Sequence, residues 1–154
     1  MTNNDIFRKL RYCLNLNDEK MLEVYTAANL ATVSRAEITT WLKKDDDPNY
    51  KSLPDQKLAT FLNGLINTKR GTKPGAPMPA ETKLNNNITF RKLKIAFNLR
   101  SEDILEILLL ANFKLSEHEL SAFFRKPDHK HFRVCKDQVL RNFLMGLQLK
   151  LRPN

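Results

Sequence analysis

The sequence predicts an all-α protein built from two tandem four-helix repeats. Residues 3–30 align with residues 86–113 at 13 of 28 identical positions, and residues 34–65 align with residues 116–147 at 11 of 32. Such internal similarity indicates a duplicated structural unit. In both copies apolar residues recur at the i, i+3, i+4, i+7 spacing of a helix buried on one face. No comparable alternating run predicts a strand.

The first helix of each copy is predicted at about residues 5–14 and 88–97. Asn4 and Asn87 are the expected N-caps, because an Asn side-chain oxygen can accept from a free backbone N–H of the first turn. A second helix is predicted after Asp18 and Ser101. Its apolar positions are Met21, Leu22, Val24, Tyr25 and Ala28 in the first copy and Ile104, Leu105, Ile107, Leu108 and Ala111 in the second.

The third helix has the clearest start signal in each copy. Ser34 with Glu37, and Ser116 with Glu119, have the capping-box spacing, in which the Ser and Glu side chains each bind the other residue's backbone N–H. Two independent occurrences make a chance match improbable. The third helix is therefore predicted to begin directly after each Ser.

The fourth helix is predicted to begin near Asp55 and near Asp137. Gly64 and Gly146 lie at matching positions inside it, where Gly costs about 0.5 to 1 kcal/mol relative to Ala. Close packing against another helix would explain both glycines. The apolar face predicted for this helix consists of Leu58, Phe61, Leu62 and Leu65, matched by Leu140, Phe143, Leu144 and Leu147.

The predicted domain organisation is a first repeat at residues 1–67, a linker at 68–84 and a second repeat at 85–154. The linker contains prolines and glycines that do not sustain a helix. Because the copies share their apolar pattern, we expect them to pack face to face with pseudo-twofold symmetry; the alternative is two separate units, like beads on a string. Helices two and three of each copy, with the turn after Asn29 or Asn112, resemble a helix-turn-helix core.

The net charge of +9 is distributed unevenly. The first copy (residues 2–71) has 11 basic and 9 acidic residues, whereas the second (residues 85–154) has 13 and 7. A basic surplus favours association with nucleic acid or an acidic protein, although it does not establish specificity. The second copy is the more basic and is expected to contribute most to binding such a partner.

The loop after the third helix is the most informative polar segment. Residues 43–51 align with residues 125–133 and keep two basic residues, an Asp, an aromatic residue and a further basic residue. Cations beside an aromatic side chain suit phosphate contact and base stacking. The alternative is that Tyr50 and Phe132 anchor the loop to the core while its charges remain solvated.

Other classes of function find little support in the sequence. Asp128, His129, His131 and Cys135 are metal-ligand types, but their spacing matches no zinc finger and does not recur in the first copy. No motif for nucleophilic, nucleotide-dependent or metalloprotease catalysis is present, so we expect neither an enzyme nor a bound cofactor. The two cysteines indicate reduced thiols in a cytoplasmic protein. No apolar run is long enough to span a membrane.

A family resemblance runs through nearly the whole chain. Its motifs include residues 85–88, 127–130, 132–133 and 143–147 in the second copy, and 61–66 with 69–71 in the first. These segments resemble the bacterial YehS-like proteins, a family of unknown function. The resemblance implies a bacterial cytoplasmic protein of two tandem domains, and it carries over no activity or catalytic residue.

The leading hypothesis is a non-enzymatic module that binds nucleic acid, with a regulatory role, through its basic loops and third helices. The alternative is a protein-interaction adaptor that uses an apolar groove between the repeats, and a homodimer stays open. The candidate binding residues are Arg125, Lys126, Lys130, His131 and Arg133 in the second copy and Lys43, Lys44 and Lys51 in the first.

Overall fold

The computed structural model describes residues 1–29 and 33–152 and confirms the all-α tandem-repeat fold. Within these residues there are eight helices and no β-strand. The chain divides between Leu84 and Asn85 into two compact units. The first unit contains α1 (Asn3–Leu14), α2 (Asp18–Ala27), α3 (Arg35–Leu42) and α4 (Asp55–Arg70), and the second contains α5 (Asn86–Ala96), α6 (Ser101–Leu110), α7 (Glu117–Ala122) and α8 (Asp137–Leu151).

Each unit has its own aromatic core. In the first unit the Phe7 ring lies 4.8 Å from Phe61 and 6.2 Å from Trp41, between centroids. In the second unit Phe90 lies 4.8 Å from Phe143 and 5.0 Å from Phe124. Edge-on and tilted ring pairs at these separations add to the stabilisation from burial. The predicted apolar face of α4 and α8 is fully buried in these cores.

The predicted starting residues of the first two helices in each copy need correction. The N-cap of α1 is Thr2 and that of α5 is Asn85, because α1 and α5 begin before Asn4 and Asn87. Similarly, Asp18 and Ser101 are the first residues of α2 and α6 rather than their caps. Acidic and hydroxyl residues suit both the cap and the first turn, so the sequence signal locates these starts only to within a residue or two.

The capping boxes of α3 and α7 are confirmed. The Glu37 N–H donates to Ser34 Oγ at 3.1 Å, and the Ser34 N–H donates to Glu37 Oε1 at 3.0 Å. The same two hydrogen bonds join Ser116 and Glu119 with the same lengths. Both third helices therefore start where the sequence places them.

The turn before the third helix also recurs. Asn29 and Asn112 have φ values of 60° and 58°, in the left-handed region that Asn tolerates better than most residues. The rest of the first copy's predicted turn, residues 30–32, lies outside the described residues. The small and apolar residues on which the resemblance to a helix-turn-helix core depends are Ala28, Ile38 and Trp41 in the first copy and Ala111, Leu120 and Phe123 in the second. Ala28, Ile38 and Trp41 are buried in the first unit. In the second unit Leu120 and Phe123 are buried and Ala111 is half-buried.

The Pro-rich linker belongs to the first unit. Helix α4 continues through Arg70, so the first three residues of the predicted linker are helical. The Asn63 side chain donates to the carbonyls of Met78 and Pro79 at 3.3 and 3.4 Å. At its end, the Leu84 N–H donates to Asp55 Oδ2 at 2.9 Å, the largest of the contacts that lower the pKa of this carboxyl. The linker is therefore hydrogen-bonded to α4 at two places, near the middle of the helix and at its first residue.

The hydropathy of the helices bears on membrane insertion. In residues 1–29 and 33–152, no helix combines the length and apolar character needed to cross a bilayer.

Candidate functional site

A buried asparagine fixes the loop after the third helix in the first unit. The Asn4 side chain is 2% exposed and lies under the loop. Its Nδ2 donates to the Trp41 carbonyl at 3.0 Å and to the Lys51 carbonyl at 2.8 Å. Its Oδ1 accepts from the Leu53 N–H at 2.9 Å. One side chain thus joins the end of α3 to the segment that returns toward α4.

The second unit repeats this arrangement with Asn87. Its Nδ2 donates to the Phe123 carbonyl at 3.0 Å and to the Arg133 carbonyl at 2.8 Å, while its Oδ1 accepts from the Cys135 N–H at 2.9 Å. These residues were predicted as N-caps; in the structure they are buried clamps. Burying an amide is costly unless its polar atoms are bonded, and here the donor and the acceptor are both used.

A neighbouring asparagine holds the next segment in each unit. Asn3 Nδ2 donates to the Leu53 carbonyl at 3.0 Å and to Asp55 Oδ1 at 2.7 Å. In the second unit, Asn86 Nδ2 donates to the Cys135 carbonyl at 3.0 Å and to Asp137 Oδ1 at 2.8 Å. The Asn-Asn pair at the start of α1 and of α5 therefore sets the path of the chain from the loop into the last helix.

The clamped loop and the third helix enclose a surface groove in each unit. At the base of the groove, the Lys51 N–H donates to the Thr40 carbonyl at 3.3 Å, and the Arg133 N–H donates to the Ala122 carbonyl at 3.1 Å. The cavity measures about 520 Å³ in the first unit and about 200 Å³ in the second. Its lining is Ala36, Thr39, Thr40, Lys43, Pro48, Asn49, Tyr50 and Lys51 in the first unit, and His118, Glu119, Ala122, Arg125, His131 and Arg133 in the second.

The two grooves are equivalent by position in the repeat. Residue numbers differ by 82 between the copies in this region, so Lys43 corresponds to Arg125 and Lys51 to Arg133. In both grooves, therefore, one cation lies just after the third helix and another lies at the far end of the loop. Ala36 and Asn49 of the first groove correspond to His118 and His131 of the second. The replacement of the two lysines by arginines makes the second groove richer in N–H donors.

His129 sets the local geometry beside Arg125. The His131 backbone N–H donates to His129 Nδ1 at 3.0 Å, so Nδ1 is the acceptor and the neutral ring carries its proton on Nε2. Arg125 Nη1 lies 3.4 Å from that Nε2. Because both atoms are then donors, this contact is not a hydrogen bond. The guanidinium N–H groups of Arg125 are therefore not used by His129.

Glu119 is the carboxylate in the lining of the second groove. Hydrogen bonds from the backbone and side chain of Ser116 hold the pKa of Glu119 below its usual range, so the group stays ionised near neutral pH. Its Oε1 accepts from the Ser116 N–H in the capping box. Glu119 thus reduces, without cancelling, the positive charge contributed by Arg125 and Arg133.

The first unit places acidic groups beside its own cations. Lys44 does not line the first groove; it lines a separate cavity of about 180 Å³ together with Asp5, Arg8 and Asp45. Arg8 Nη2 lies 2.6 Å from Asp5 Oδ1, and its Nη1 donates to the Lys43 carbonyl at 2.8 Å. These acidic groups lie outside the lining of the first groove.

The structure separates the predicted binding residues into two sets. Arg125, His131 and Arg133 line the second groove, and Lys43 and Lys51 line the first. The other predicted binding residues, which are exposed and lie outside the groove linings, are Lys44, Lys126 and Lys130.

The sequence reasoning missed two parts of the site. His118 is not among the predicted binding residues, and it lines the groove from the first turn of α7. The asparagine clamps were assigned to helix capping. Their signal in the sequence is the identical Asn-Asn pair that opens both repeats.

The aromatic residue of each loop is half-buried. Tyr50 also lines the first groove, whereas Phe132 is not in the lining of the second. Tyr50 and Phe132 therefore match in sequence position but not in their place at the groove.

Cys135 is held away from solvent at the end of the loop. It is 1% exposed, and burial, with the nearby charge of Asp137, raises the pKa of its thiol to about 12. A thiol in this state is a poor nucleophile and a poor metal ligand at neutral pH. Among the described residues, no group of three or more His, Cys, Asp or Glu side chains converges to hold a metal ion.

Comparison with known proteins gives a family without a known activity. The uncharacterized protein YehS of Escherichia coli (strain K12) is 44% identical over 148 residues, which cover 96% of this chain and 94% of the relative. No solved structure matches significantly. The family model described as a protein of unknown function, DUF1456, matches twice, at residues 3–71 and 86–152. The chain therefore belongs to the DUF1456 family, with one copy of the family's domain in each half.

Proposed function

We propose that the protein is a non-enzymatic nucleic-acid-binding module, and that it contacts phosphate groups through the groove beside the third helix of each repeat. The observation that carries this proposal is the recurrence of the groove. Both copies form it from the same elements, and both place cations at its two matching positions, 43/125 and 51/133. Surface charges that serve only solubility have no need to recur in one concavity.

The chemistry of the groove suits a phosphate oxygen ligand. Arginine offers a planar fork of donors that matches phosphate geometry, and lysine offers a point charge. The second groove has Arg125 and Arg133, while the first has Lys43 and Lys51. The half-buried Tyr50 at the first groove adds a surface on which a base can stack.

The distribution of charge supports a larger contribution from the second repeat. It carries most of the net positive charge of the chain, and residues 127–129 of its loop include one Asp where residues 45–47 of the first loop are all Asp. Phosphate contacts of this kind release counterions, so affinity for nucleic acid should fall steeply as salt rises.

The test is charge reversal inside and outside the second groove. The double variant Arg125→Glu/Arg133→Glu should weaken binding of labelled DNA or RNA by about tenfold or more, because two direct phosphate contacts become repulsive. Fluorescence anisotropy across a salt series would also show a shallower dependence of log affinity on log salt.

A matched control separates the groove from general charge. Lys126→Glu/Lys130→Glu makes the same change in net charge on the same loop, outside the groove lining. We expect it to weaken binding only a few-fold through the long-range field. Equal losses in the two double variants, with both proteins folded by circular dichroism, would reject the groove as the contact site.

A second candidate function is protein binding through an apolar surface of the second unit. Leu110, Met145 and Leu149 are 49%, 39% and 42% exposed there. The matching residues of the first unit are Ala27, Asn63 and Asn67, and Asn67 Nδ2 donates to the Ala27 carbonyl at 2.8 Å. Exposed apolar clusters often mark interaction sites. Partner binding that is insensitive to salt and lost on Met145→Asn/Leu149→Asn would favour this function.

A further inference from the structure

We infer that the groove of the second repeat recognises a phosphomonoester dianion, the terminal phosphate of a nucleic-acid strand, in preference to a phosphodiester within the strand. This inference rests on the proposed function and names the ligand group of the same site. It comes from the differences between two grooves that share one architecture.

The first difference is the donor set. At four matching positions the first groove has Ala36, Lys43, Asn49 and Lys51, and the second has His118, Arg125, His131 and Arg133. Two ammonium groups are thus replaced by two guanidinium forks, and two side chains without a basic group are replaced by imidazoles. Several N–H donors that converge on one concavity favour a ligand with many acceptor oxygens.

The second difference is size. The cavity of about 200 Å³ in the second unit is less than half of the roughly 520 Å³ in the first. It corresponds to roughly six or seven liquid water volumes, which accommodates a phosphate group more readily than a length of strand. The smaller groove therefore favours a compact ligand.

The base of the second groove is closed in the same way as that of the first. The Arg133 N–H bonds the Ala122 carbonyl at 3.1 Å, which joins the loop wall to the helix wall, and Asn87 holds the Arg133 carbonyl from below. A phosphodiester carries substituents on two sides and has two non-bridging oxygens to present to this closed base. A phosphomonoester has one substituent and can enter with its free oxygens first.

Charge also favours the terminal group. A phosphomonoester carries about −1.5 to −2 charges near pH 7, whereas each phosphodiester of the backbone carries one. The charges of Arg125 and Arg133 outnumber that of the ionised Glu119, so the lining is net positive and favours the more highly charged ligand. Neutral imidazoles of His118 and His131 can still each donate one N–H to an oxygen.

The experiment compares one short single-stranded oligonucleotide with a 5′-phosphate, a 3′-phosphate or hydroxyls at both ends. Anisotropy with the internally labelled strands and the intact protein should show about tenfold tighter binding of a phosphorylated form. Which end binds more tightly identifies the source of the phosphate. Inorganic phosphate at millimolar concentration should compete with that strand more strongly than with the hydroxyl-ended strand.

Matched variants assign the preference to the groove. Arg125→Gln/Arg133→Gln should bring the affinity ratio of phosphorylated to unphosphorylated strand close to one. Lys43→Gln/Lys51→Gln, the same change in the first groove, should leave that ratio unchanged while reducing overall affinity.

The outcomes separate the inference from the proposed function. Equal affinity for all three strands, with binding still weakened by Arg125→Gln/Arg133→Gln, would overturn the terminal-phosphate inference and leave nucleic-acid binding through the groove in place. No binding of any strand at low salt would overturn both. Retention of the phosphate preference in the Arg125→Gln/Arg133→Gln variant would also overturn the inference, because the recognition would then lie elsewhere.

Discussion

Replacing Asn87 with Ala should destabilise the second unit by about 3 kcal/mol and release the loop that forms its groove. The substitution removes three hydrogen bonds to the Phe123 carbonyl, the Arg133 carbonyl and the Cys135 N–H. The bonds to the Phe123 carbonyl and the Cys135 N–H are buried, and the bond to the Arg133 carbonyl is partly buried. An unsatisfied buried polar group costs roughly 1 to 3 kcal/mol. The free energy of unfolding should therefore fall substantially even if water reaches part of the loop.

The measurement is urea denaturation followed by circular dichroism, with a parallel experiment on Asn4→Ala in the first unit. Trp41 is the single tryptophan of the chain and lies in the first unit, so its fluorescence follows the effect of Asn4→Ala there. Hydrogen exchange adds a local readout. The Cys135 N–H in Asn87→Ala and the Leu53 N–H in Asn4→Ala should lose protection.

Asn142→Ala is the matched control for Asn87→Ala. The Asn142 side chain bonds the Gln138 carbonyl of its own helix, at 2.9 Å, and is half-buried. We expect a change in stability within about 0.5 kcal/mol. If Asn87→Ala cost no more than this control, the asparagine would not be the clamp that sets the loop.

The asparagine clamps also show where sequence reasoning reaches its limit. The capping boxes of α3 and α7 were predicted correctly because each depends on residues three positions apart, within one turn of helix. Asn4 and Asn87 instead bond groups 36 to 49 residues away. Asn is a good N-cap and a good buried amide, and only the tertiary structure distinguishes the two roles.

The candidate site likewise has features that local sequence predicts and features that only the tertiary structure shows. Arg125 and Lys126 are adjacent in sequence and were predicted together, yet only Arg125 lines the groove. Composition and repeat alignment identify a basic loop but not the direction of each side chain. His118 joins the groove from α7, thirteen residues before His131, and no local pattern links them. The loop was therefore predictable, whereas the concavity that selects a few of its residues was not.

Replacing Gly146 with Ala should destabilise the protein by about 2 to 3 kcal/mol, although helix propensity alone predicts the opposite sign. In an exposed helix interior, Ala is about 1 kcal/mol more favourable than Gly. At Gly146, however, an added Cβ would overlap the Ile107 carbonyl oxygen of α6, and at Gly64 it would overlap the Val24 carbonyl oxygen of α2. Backbone atoms cannot rotate away as a side chain can, so the helices must separate and the core beneath them must loosen.

Measurement of the Tm and of the urea midpoint for Gly146→Ala and Gly64→Ala decides whether helix propensity or close packing has the larger effect. Met145→Ala is the control, because Met145 precedes Gly146 on α8 and is 39% exposed, so it tests propensity without the close contact. We expect that control to be neutral within about 0.5 kcal/mol. A rise in Tm for either glycine variant would show that propensity outweighs packing there. A fall in both would indicate that each repeat keeps its glycine because the backbones of its second and fourth helices meet at that residue.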